Sequence, residues 1–422
     1  MNRLLSRVRA HAHACAHTVT DIGGHLGGHL RQAVLAVLAV LLGAAAWSAH
    51  ALPPQLLRPE WVLPTQAVKG PSGAMRAPLP NGPAADLSAV RYERDGQRLS
   101  IEDFQSRASV KALLVVRDGQ VVYEFHRWPN GPQTLHQSWS MMKQMLSMLV
   151  GLAVQQGHIQ SLDDPMDRYA PVLAGNGFKG VSFRQALLMS AGVRYDEEAD
   201  RVTMFKEVIR HRLSGGLLGH DLLEKVGEPQ LTVAWPAGSR YEYSSIVSQA
   251  LAMALEGATK QPLARLLSQG IWQPLGVPDD ARLLTDGKGQ ALGLCCLYAT
   301  VRSYALFGQW MAQDGVWRGQ ALLNADYVRQ ATRFVDPLAW HSSAVPRKAK
   351  TQELFGFAYH WWPLEGGRDD FTALGIQGQM IYVSPRQNVV VVRVSDDYVD
   401  GAHNEEAIAL FRAVADRLKP LN

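Results

Sequence analysis

The order of its predicted elements constrains the fold of this 422-residue chain more than any other feature. β-Rich runs within 111–125 flank an Asp-Gly pair, which is a strong hairpin signal. The stretch from 162 to about 275 is mostly helical, and strand-like runs return at 355–362, 379–383 and 388–394. We therefore predict an α+β fold: an antiparallel β-sheet assembled from both ends of the chain, flanked by N- and C-terminal helices, with an inserted all-helical domain.

The same order suggests domain boundaries. Residues 52–100 begin with a Pro- and Gly-rich stretch that has no regular period, so we predict an extended N-terminal arm. Residues 101–160 and 290–422 are predicted to form the sheet domain, and 161–289 the helical insertion. A cleft between sheet and helices is the natural place for a functional site.

The first 51 residues have the pattern of a secretory signal. Four arginines precede an apolar run of 15 residues, 33–47, which is followed by Ala49-His50-Ala51. The run is short for a membrane span, which needs about 20 apolar residues. We expect export to the periplasm or the medium with cleavage after Ala51, and an uncleaved membrane anchor is the alternative. The His- and Ala-rich stretch 11–17 offers metal ligands but lies inside the segment that we expect to be removed.

Composition and motifs exclude several classes of protein. With 47% apolar and 19% charged residues, wholesale disorder is excluded. The 42 Lys and Arg against 38 Asp and Glu give a net charge of +4, too balanced for a protein that binds nucleic acid by neutralising phosphates. Neither a phosphate-binding loop nor a dinucleotide-binding pattern occurs, so we predict no cofactor. We predict no metal partner either, and the oligomeric state is left open.

The cysteines do not form a disulfide scaffold, because the chain has only three. Cys295 and Cys296 are adjacent, which disfavours an ordinary bridge between them. We interpret both as small buried residues.

The first candidate site is the pair Ser140 and Lys143, at the start of a helix predicted over 140–156. Side chains three residues apart share one helix face, and the positive end of the helix dipole favours a developing oxyanion. A serine hydroxyl needs a base to become a nucleophile, and desolvation could lower the pKa of a buried lysine enough for it to serve. Taken alone, such a pair more often means a helix cap followed by a surface lysine.

Two later segments give this pair a context. The run 241–245, Tyr-Glu-Tyr-Ser-Ser, precedes a helix, and 373–379, Ala-Leu-Gly-Ile-Gln-Gly-Gln, opens a strand. In this order the three motifs resemble the serine β-lactamase and penicillin-binding-protein superfamily, over about 110–412. Within it, the chain is most similar to the branch of 6-aminohexanoate-oligomer (nylon-oligomer) hydrolases and related esterases. The narrower similarity is carried by 189–197 and 375–379.

The resemblance implies a role for each matching residue. Ser140 would be the nucleophile that forms an acyl-enzyme, Lys143 would take its proton, and Tyr243 would relay a proton to the leaving group. The backbone N–H groups of Ser140 and Ile376 would form the oxyanion hole. The residues predicted to contact substrate are Tyr195, which matches a tyrosine that helps hold the amide in the nylon-oligomer enzymes, and Gly375 of the strand motif.

Two positions depart from the superfamily pattern. Ser245 stands where the Tyr-x-Asn motif has Asn, and Ala373 stands where the strand motif has Lys or His. The usual groups help bind a β-lactam or a peptide carboxylate, so their loss favours a substrate without that anchor. We predict an exported serine hydrolase that cleaves a small-molecule amide or ester. The alternatives are a β-lactamase or D-alanyl peptidase, and a non-catalytic penicillin-binding-type sensor.

One acidic run and four histidines are interpreted as lying outside the catalytic site. The acidic run 196–198 is more typical of a solvated loop than of a paired-carboxylate site. Four scattered histidines are interpreted as structural or surface residues: His126, His136, His158 and His360.

Overall fold

The computed structural model describes residues 64–214, 217–344, 354–397 and 401–418. The predicted signal, 1–51, and the first residues of the predicted arm lie outside the described residues. Within the described ranges, no helix is long and apolar enough to cross a membrane.

The described chain contains the strands and helices that follow, among them short strands at 65–99 and 281–321 that the sequence did not predict. The strands are β1 (Thr65–Val68), β2 (Tyr92–Arg94), β3 (Gln97–Leu99), β4 (Val110–Arg117), β5 (Gln120–His126), β6 (His136–Gln137), β7 (Ala281–Leu284), β8 (Leu297–Ala299), β9 (Val316–Trp317), β10 (Gln320–Ala321), β11 (Trp362–Pro363), β12 (Phe371–Gly375), β13 (Gln379–Ser384) and β14 (Val389–Ser395). The α-helices are α1 (Ile101–Arg107), α2 (Met142–Gln155), α3 (Phe183–Leu187), α4 (Ala199–Leu213), α5 (Leu222–Val226), α6 (Ser245–Thr259), α7 (Leu263–Leu267), α8 (Gln273–Leu275), α9 (Val301–Ala312), α10 (Ala325–Thr332) and α11 (Asn404–Arg417).

A six-stranded antiparallel sheet, in the order β11-β12-β13-β14-β4-β5, forms the centre of the fold. Two of its strands precede the helical segment and four follow it, which confirms that the sheet is assembled from both ends. The hairpin between β4 and β5 turns at Asp118 and Gly119, whose φ angles are 50° and 76°. Positive φ at both central residues is the geometry that an Asp-Gly pair favours.

Helices cover both faces of this sheet, which explains the uninterrupted β-branched run in β14. Val390 and Val392 belong to the large apolar cluster that includes α2 and α9. Val389 and Val391 belong to a second cluster that includes α1 and α11. Because successive side chains in a strand point to opposite faces, every valine of β14 meets an apolar layer.

About half of the segment 161–289 lies in helices, including α3 to α8, and the segment also supplies β7. That strand pairs with β1 on one side and β8 on the other, in a four-stranded sheet ordered β1-β7-β8-β6. The pairing of β6 with β8 holds the chain just before Ser138 against Tyr298 and Ala299. This second sheet therefore positions the residues from which the candidate site is built.

The predicted strand over 355–362 is wrong in its extent. Only Trp362 and Pro363 pair with the central sheet, and Phe355 and Phe357 make isolated bridges. His360 adopts a φ of 64°, which turns the backbone out of an extended path. The alternating aromatic residues fill the core behind the site and do not extend the sheet.

Candidate active site

Ser140 lies in a single 3₁₀ turn, Trp139–Met141, that runs directly into α2. The residue before it is fixed from the second sheet: the Ser138 N–H donates to the Leu297 carbonyl at 2.7 Å, and the Leu297 N–H donates to the Ser138 Oγ at 3.0 Å. Trp139 has a φ of 45°, an uncommon conformation for a large side chain. These contacts hold the Ser140 turn at the edge of a cavity.

Lys143 is the lysine that the spacing predicts, and the structure buries it, with 1% of its surface exposed. Its Nζ lies 3.0 Å from the Ser140 Oγ, 3.2 Å from the Ser245 Oγ and 2.7 Å from the Leu294 carbonyl oxygen. Burial lowers the pKa of Lys143 from 10.5 to about 7, against the attraction of the Glu197 carboxylate. A lysine with that pKa can hold or release a proton near neutral pH, which a general base requires.

Tyr243 lies on the loop that leads into α6, and its ring faces the lysine. The ring centroid is 5.1 Å from the Lys143 Nζ. Trp362 stacks on the Tyr243 ring at 6.1 Å, and Phe357 meets it edge-on at 6.4 Å. The aromatic contacts fix the plane of the phenol beside the Ser140 and Lys143 pair.

The strand edge predicted to complete the oxyanion hole lies beside the serine turn. Gly375 ends β12, and a 3₁₀ turn, Ile376–Gly378, follows it. A β-carbon on Gly375 would come within 2.4 Å of the Ser138 carbonyl oxygen, so only glycine allows this approach. The Trp139 indole N–H donates to the Gln377 Oε1 at 2.9 Å, which joins the two turns.

These elements enclose a cavity of about 720 Å³, within the usual size of a small-molecule site. The structure brings every residue of the predicted site to it, although the roles of these residues remain predictions. Those lining the cavity are Ser140, Tyr195, Tyr243, Gly375 and Ile376, and Lys143 lies behind Ser140.

Tyr195 borders the cavity but is itself nearly buried, and burial raises the pKa of its hydroxyl above the usual range. Among the described residues, its hydroxyl has no hydrogen-bond partner. Ala373 is fully buried in β12 opposite Ile381, so no cation stands at that position of the strand.

The interpretation of the acidic run as a solvated loop is wrong for its middle residue. Glu197 lines the cavity, and its carboxylate accepts hydrogen bonds from the backbone N–H and the Oγ of Ser245, both at 2.7 Å. Arg201 lies against the same carboxylate, with Nε 3.1 Å from Oε1. Only tertiary folding brings Glu197 to a helix start 48 residues away, and a local charge pattern carries no sign of it.

The prediction that Cys295 and Cys296 are not bridged is also wrong. The structure joins them in a disulfide between adjacent residues, although both are buried as predicted. Cys296 adopts a φ of 80°, which is uncommon for a residue other than glycine. The bridged pair follows Leu294, whose carbonyl accepts from Lys143, and Cys295 borders the cavity.

The four scattered histidines do not line the described part of the cavity. Burial lowers the pKa of His136 and of His360 to about 3, so both are neutral at physiological pH. His126 lies 2.9 Å from Glu124, and His158 is exposed. Their positions agree with the interpretation of structural or surface residues.

One group of side chains in the described ranges could hold a metal ion: His211, Asp221 and Glu224, with ligand atoms within 4.8 Å of one another. The two carboxylates already cap α5 reciprocally, and the Lys288 Nζ lies 2.5 Å from Asp221. None of the three borders the cavity, so this group is separate from the predicted catalytic residues.

The chain is similar to known proteins over most of its length. The family described as Beta-lactamase matches residues 100–415. A 6-aminohexanoate-dimer hydrolase from Paenarthrobacter ureafaciens is 27% identical over 340 residues, which are 77% of this chain and 82% of the relative.

Solved structures share the fold at lower identity. A Bacillus anthracis protein named as a candidate 6-aminohexanoate-dimer hydrolase has a TM-score of 0.73 and 19% identity, over 86% of this chain and 94% of its own. A penicillin-binding protein homologue from Pyrococcus abyssi has a TM-score of 0.56 and 15% identity, over 76% of each chain. At these identities the likeness concerns the fold, and it confirms the predicted mixture of helices and antiparallel sheet.

Proposed function

The chain belongs to the β-lactamase family of hydrolases, and from this premise we propose that it is a serine hydrolase that cleaves a linear amide or a carboxylic ester. The observation that carries the proposal is the 3.0 Å contact between the Ser140 Oγ and the Nζ of a buried lysine whose pKa lies at about 7. A serine at a cavity edge with a neutral amine beside it is an activated nucleophile.

The first half-reaction forms an acyl-enzyme. The lone pair of the Lys143 amine takes the proton from Ser140 as its Oγ attacks the substrate carbonyl carbon. The N–H groups of Ser140 and Ile376 stabilise the negative charge that develops on the carbonyl oxygen. The Tyr243 hydroxyl gives its proton to the leaving nitrogen or oxygen, and the proton on Lys143 replaces it.

The second half-reaction returns the enzyme to its starting state. Water loses a proton to the Tyr243 and Lys143 pair and attacks the acyl carbon, and the same N–H groups stabilise the second tetrahedral intermediate. The bond to Ser140 then breaks, and its Oγ recovers a proton from Lys143. The products are a carboxylic acid and the amine or alcohol released in the first step.

Ala373 and the aromatic part of the cavity wall favour a linear acyl group over a β-lactam, although Arg194, Arg201 and Arg240 also border the cavity. Ala373 supplies no cation for a substrate carboxylate. Aromatic rings of Trp139, Tyr243 and Trp362 border the cavity instead and offer apolar surface to an alkyl chain. The Paenarthrobacter ureafaciens relative is named for a 6-aminohexanoate dimer, which supports an amide between unbranched alkyl chains as the substrate class.

The test is hydrolysis by the protein purified without residues 1–51, with covalent labelling by a fluorophosphonate as a second readout. We expect turnover of short-chain p-nitrophenyl esters and attachment of one label at Ser140. The matched control is Ser140→Ala, which removes one oxygen and should lose both label and turnover, by about 10⁴-fold or more. Turnover by Ser140→Ala within tenfold of the parent would exclude Ser140 as the nucleophile. Failure of the parent to react with ester, amide, nitrocefin and fluorophosphonate would favour the non-catalytic sensor.

Export is proposed from the basic, apolar and small-residue pattern of residues 1–51. N-terminal sequencing of the protein from its host should begin at or near Leu52. A membrane-bound form that begins at Met1 would show an anchor in place of a cleaved signal.

A further inference from the structure

Glu197 provides a cap for a helix that has none of its own. Ser244 precedes the first residue of α6 and makes no side-chain capping hydrogen bond. The Glu197 carboxylate, which comes from another segment of the chain, caps α6 instead. Its Oε2 accepts a hydrogen bond from the Ser245 N–H, and its Oε1 accepts one from the Ser245 hydroxyl. Two charge-assisted bonds of 2.7 Å fix the Ser245 side chain at this position.

The cap determines which group donates in the hydrogen bond between Ser245 and Lys143. An ionised carboxylate only accepts, so the Ser245 hydroxyl must give its one proton to Glu197. The Ser245 Oγ is then left as an acceptor toward the Lys143 Nζ, 3.2 Å away. The Leu294 carbonyl, 2.7 Å away, is a second obligatory acceptor for the same nitrogen.

A neutral lysine amine has two N–H donors and one lone pair. Both donors of Lys143 are occupied by Ser245 and Leu294, so the lone pair is the group left for Ser140. We propose that Glu197 is a positioning residue that acts through Ser245 to aim the lone pair of the Lys143 amine at the Ser140 hydroxyl. The proposal rests on the proposed function, because it concerns the base of that reaction.

The charges around Lys143 give this role a pH signature. Glu197 favours the ammonium form of Lys143 and Arg201 disfavours it. The ring of Tyr243 faces the amine, and His360, against the Lys143 carbonyl, has a pKa of about 3 and stays neutral during turnover. Removing the charge of Glu197 should therefore lower the pKa of Lys143.

The variant that tests the proposal is Glu197→Gln. The Ser245 N–H can only donate, so it would pair with the oxygen of the new side-chain amide at position 197. The NH₂ of that amide would then face the Ser245 hydroxyl. That hydroxyl could then donate to the Lys143 lone pair and compete with Ser140. We expect the high-pH plateau of kcat/KM to fall by about 10²-fold, as for a misplaced catalytic group.

The pH profile separates positioning from a structural role. For Glu197→Gln, the midpoint of the acid limb should move to lower pH by about one unit, because the loss of an opposite charge disfavours the ammonium form. The matched control is Glu207→Gln, which removes a carboxylate from α4 that bonds to His220 outside the cavity. The control should keep the midpoint and the plateau of the parent. A lowered plateau with an unmoved midpoint would mean a structural role and overturn the proposal.

Ser245→Ala provides a second test of the same connection, and as a single variant it remains available if Glu197→Gln folds poorly. Ser245→Ala removes the link between Glu197 and Lys143, and the double variant should fall no further than Ser245→Ala alone, because both changes break one connection. If the losses of kcat/KM in the two single variants multiply in the double variant, the proposal is overturned. If the parent reacts normally while Glu197→Gln and Ser245→Ala also match it, this inference fails and the proposed function stands. If the parent itself has no activity and takes no fluorophosphonate, the proposed function has failed.

Discussion

The backbone of Gly375 lies so close to Ser138 that a β-carbon on residue 375 would come within 2.4 Å of the Ser138 carbonyl oxygen. It would also approach the Trp139 β-carbon to 3.1 Å. The end of β12 and the turn that carries Ser140 are therefore in backbone contact. This contact sets the distance between the two N–H groups assigned to the oxyanion hole.

The first prediction concerns this contact. Gly375→Ala should push the Ile376 turn away from the Ser140 turn, because the clash is with backbone that cannot rotate aside. Since loss of one oxyanion donor costs about 10²–10³-fold, we expect a loss of that size in kcat on an ester substrate. Gly131→Ala is the control for an added methyl group, because a β-carbon on Gly131 would meet no atom within 4 Å. Activity of Gly375→Ala within threefold of the parent would contradict the proposed oxyanion hole.

The second prediction concerns pH. Lys143 must be neutral to take a proton, and burial lowers its pKa to about 7. The kcat/KM for an uncharged ester should therefore rise with pH through about 7 and level off above it. Lys143→Met keeps an apolar side chain of similar length but cannot accept a proton, so it should be severely impaired at every pH. A parent profile that is flat from pH 5 to 9 would show that Lys143 is not the base.

The third prediction separates two neighbouring tyrosines. Tyr243→Phe should lose about 10²–10⁴-fold in kcat, the usual contribution of a general acid or base. Tyr241→Phe is the matched control, because the Tyr241 side chain is buried and packs on Phe357 at 5.0 Å. If Tyr243→Phe had no effect on ester or amide hydrolysis and Tyr241→Phe did, the proton relay would belong to Tyr241.

The fourth prediction concerns substrate preference. A charge-assisted hydrogen bond contributes about 1.5–3 kcal/mol, so lacking a cation at Ala373 should weaken binding of carboxylate-bearing β-lactams by roughly 10–150-fold. We therefore expect higher kcat/KM on p-nitrophenyl acetate or butyrate, which carry no carboxylate, than on nitrocefin. We expect the same order for a linear 6-aminohexanoate-type amide dimer on a different ground, because its unbranched alkyl chain suits the aromatic wall of the cavity. Nitrocefin turnover well above both would favour the β-lactamase alternative.

The sequence determined those parts of the site that depend on local spacing. Ser140 and Lys143 are three residues apart, so a helix at that position places them on one face, where the structure shows a 3.0 Å contact. The Asp118-Gly119 turn and the buried run of β14 were predictable for the same reason, since turn chemistry and hydrophobic pattern are local properties. The resemblance identified Tyr243 and Ile376 as candidate site residues from the order of the motifs.

Tertiary structure decided the rest, because it depends on segments that meet only in the folded chain. Glu197 looks like one member of a solvated acidic run until folding places it at the start of α6. The bridge between Cys295 and Cys296 forms in a backbone turn where Cys296 has a positive φ, and neighbouring cysteines in a sequence do not show it. The pKa of Lys143 likewise follows from burial on all sides by α2, α6 and the Leu294 carbonyl. Spacing specified which side chains share a helix face, whereas desolvation and long-range hydrogen bonds determined their chemistry.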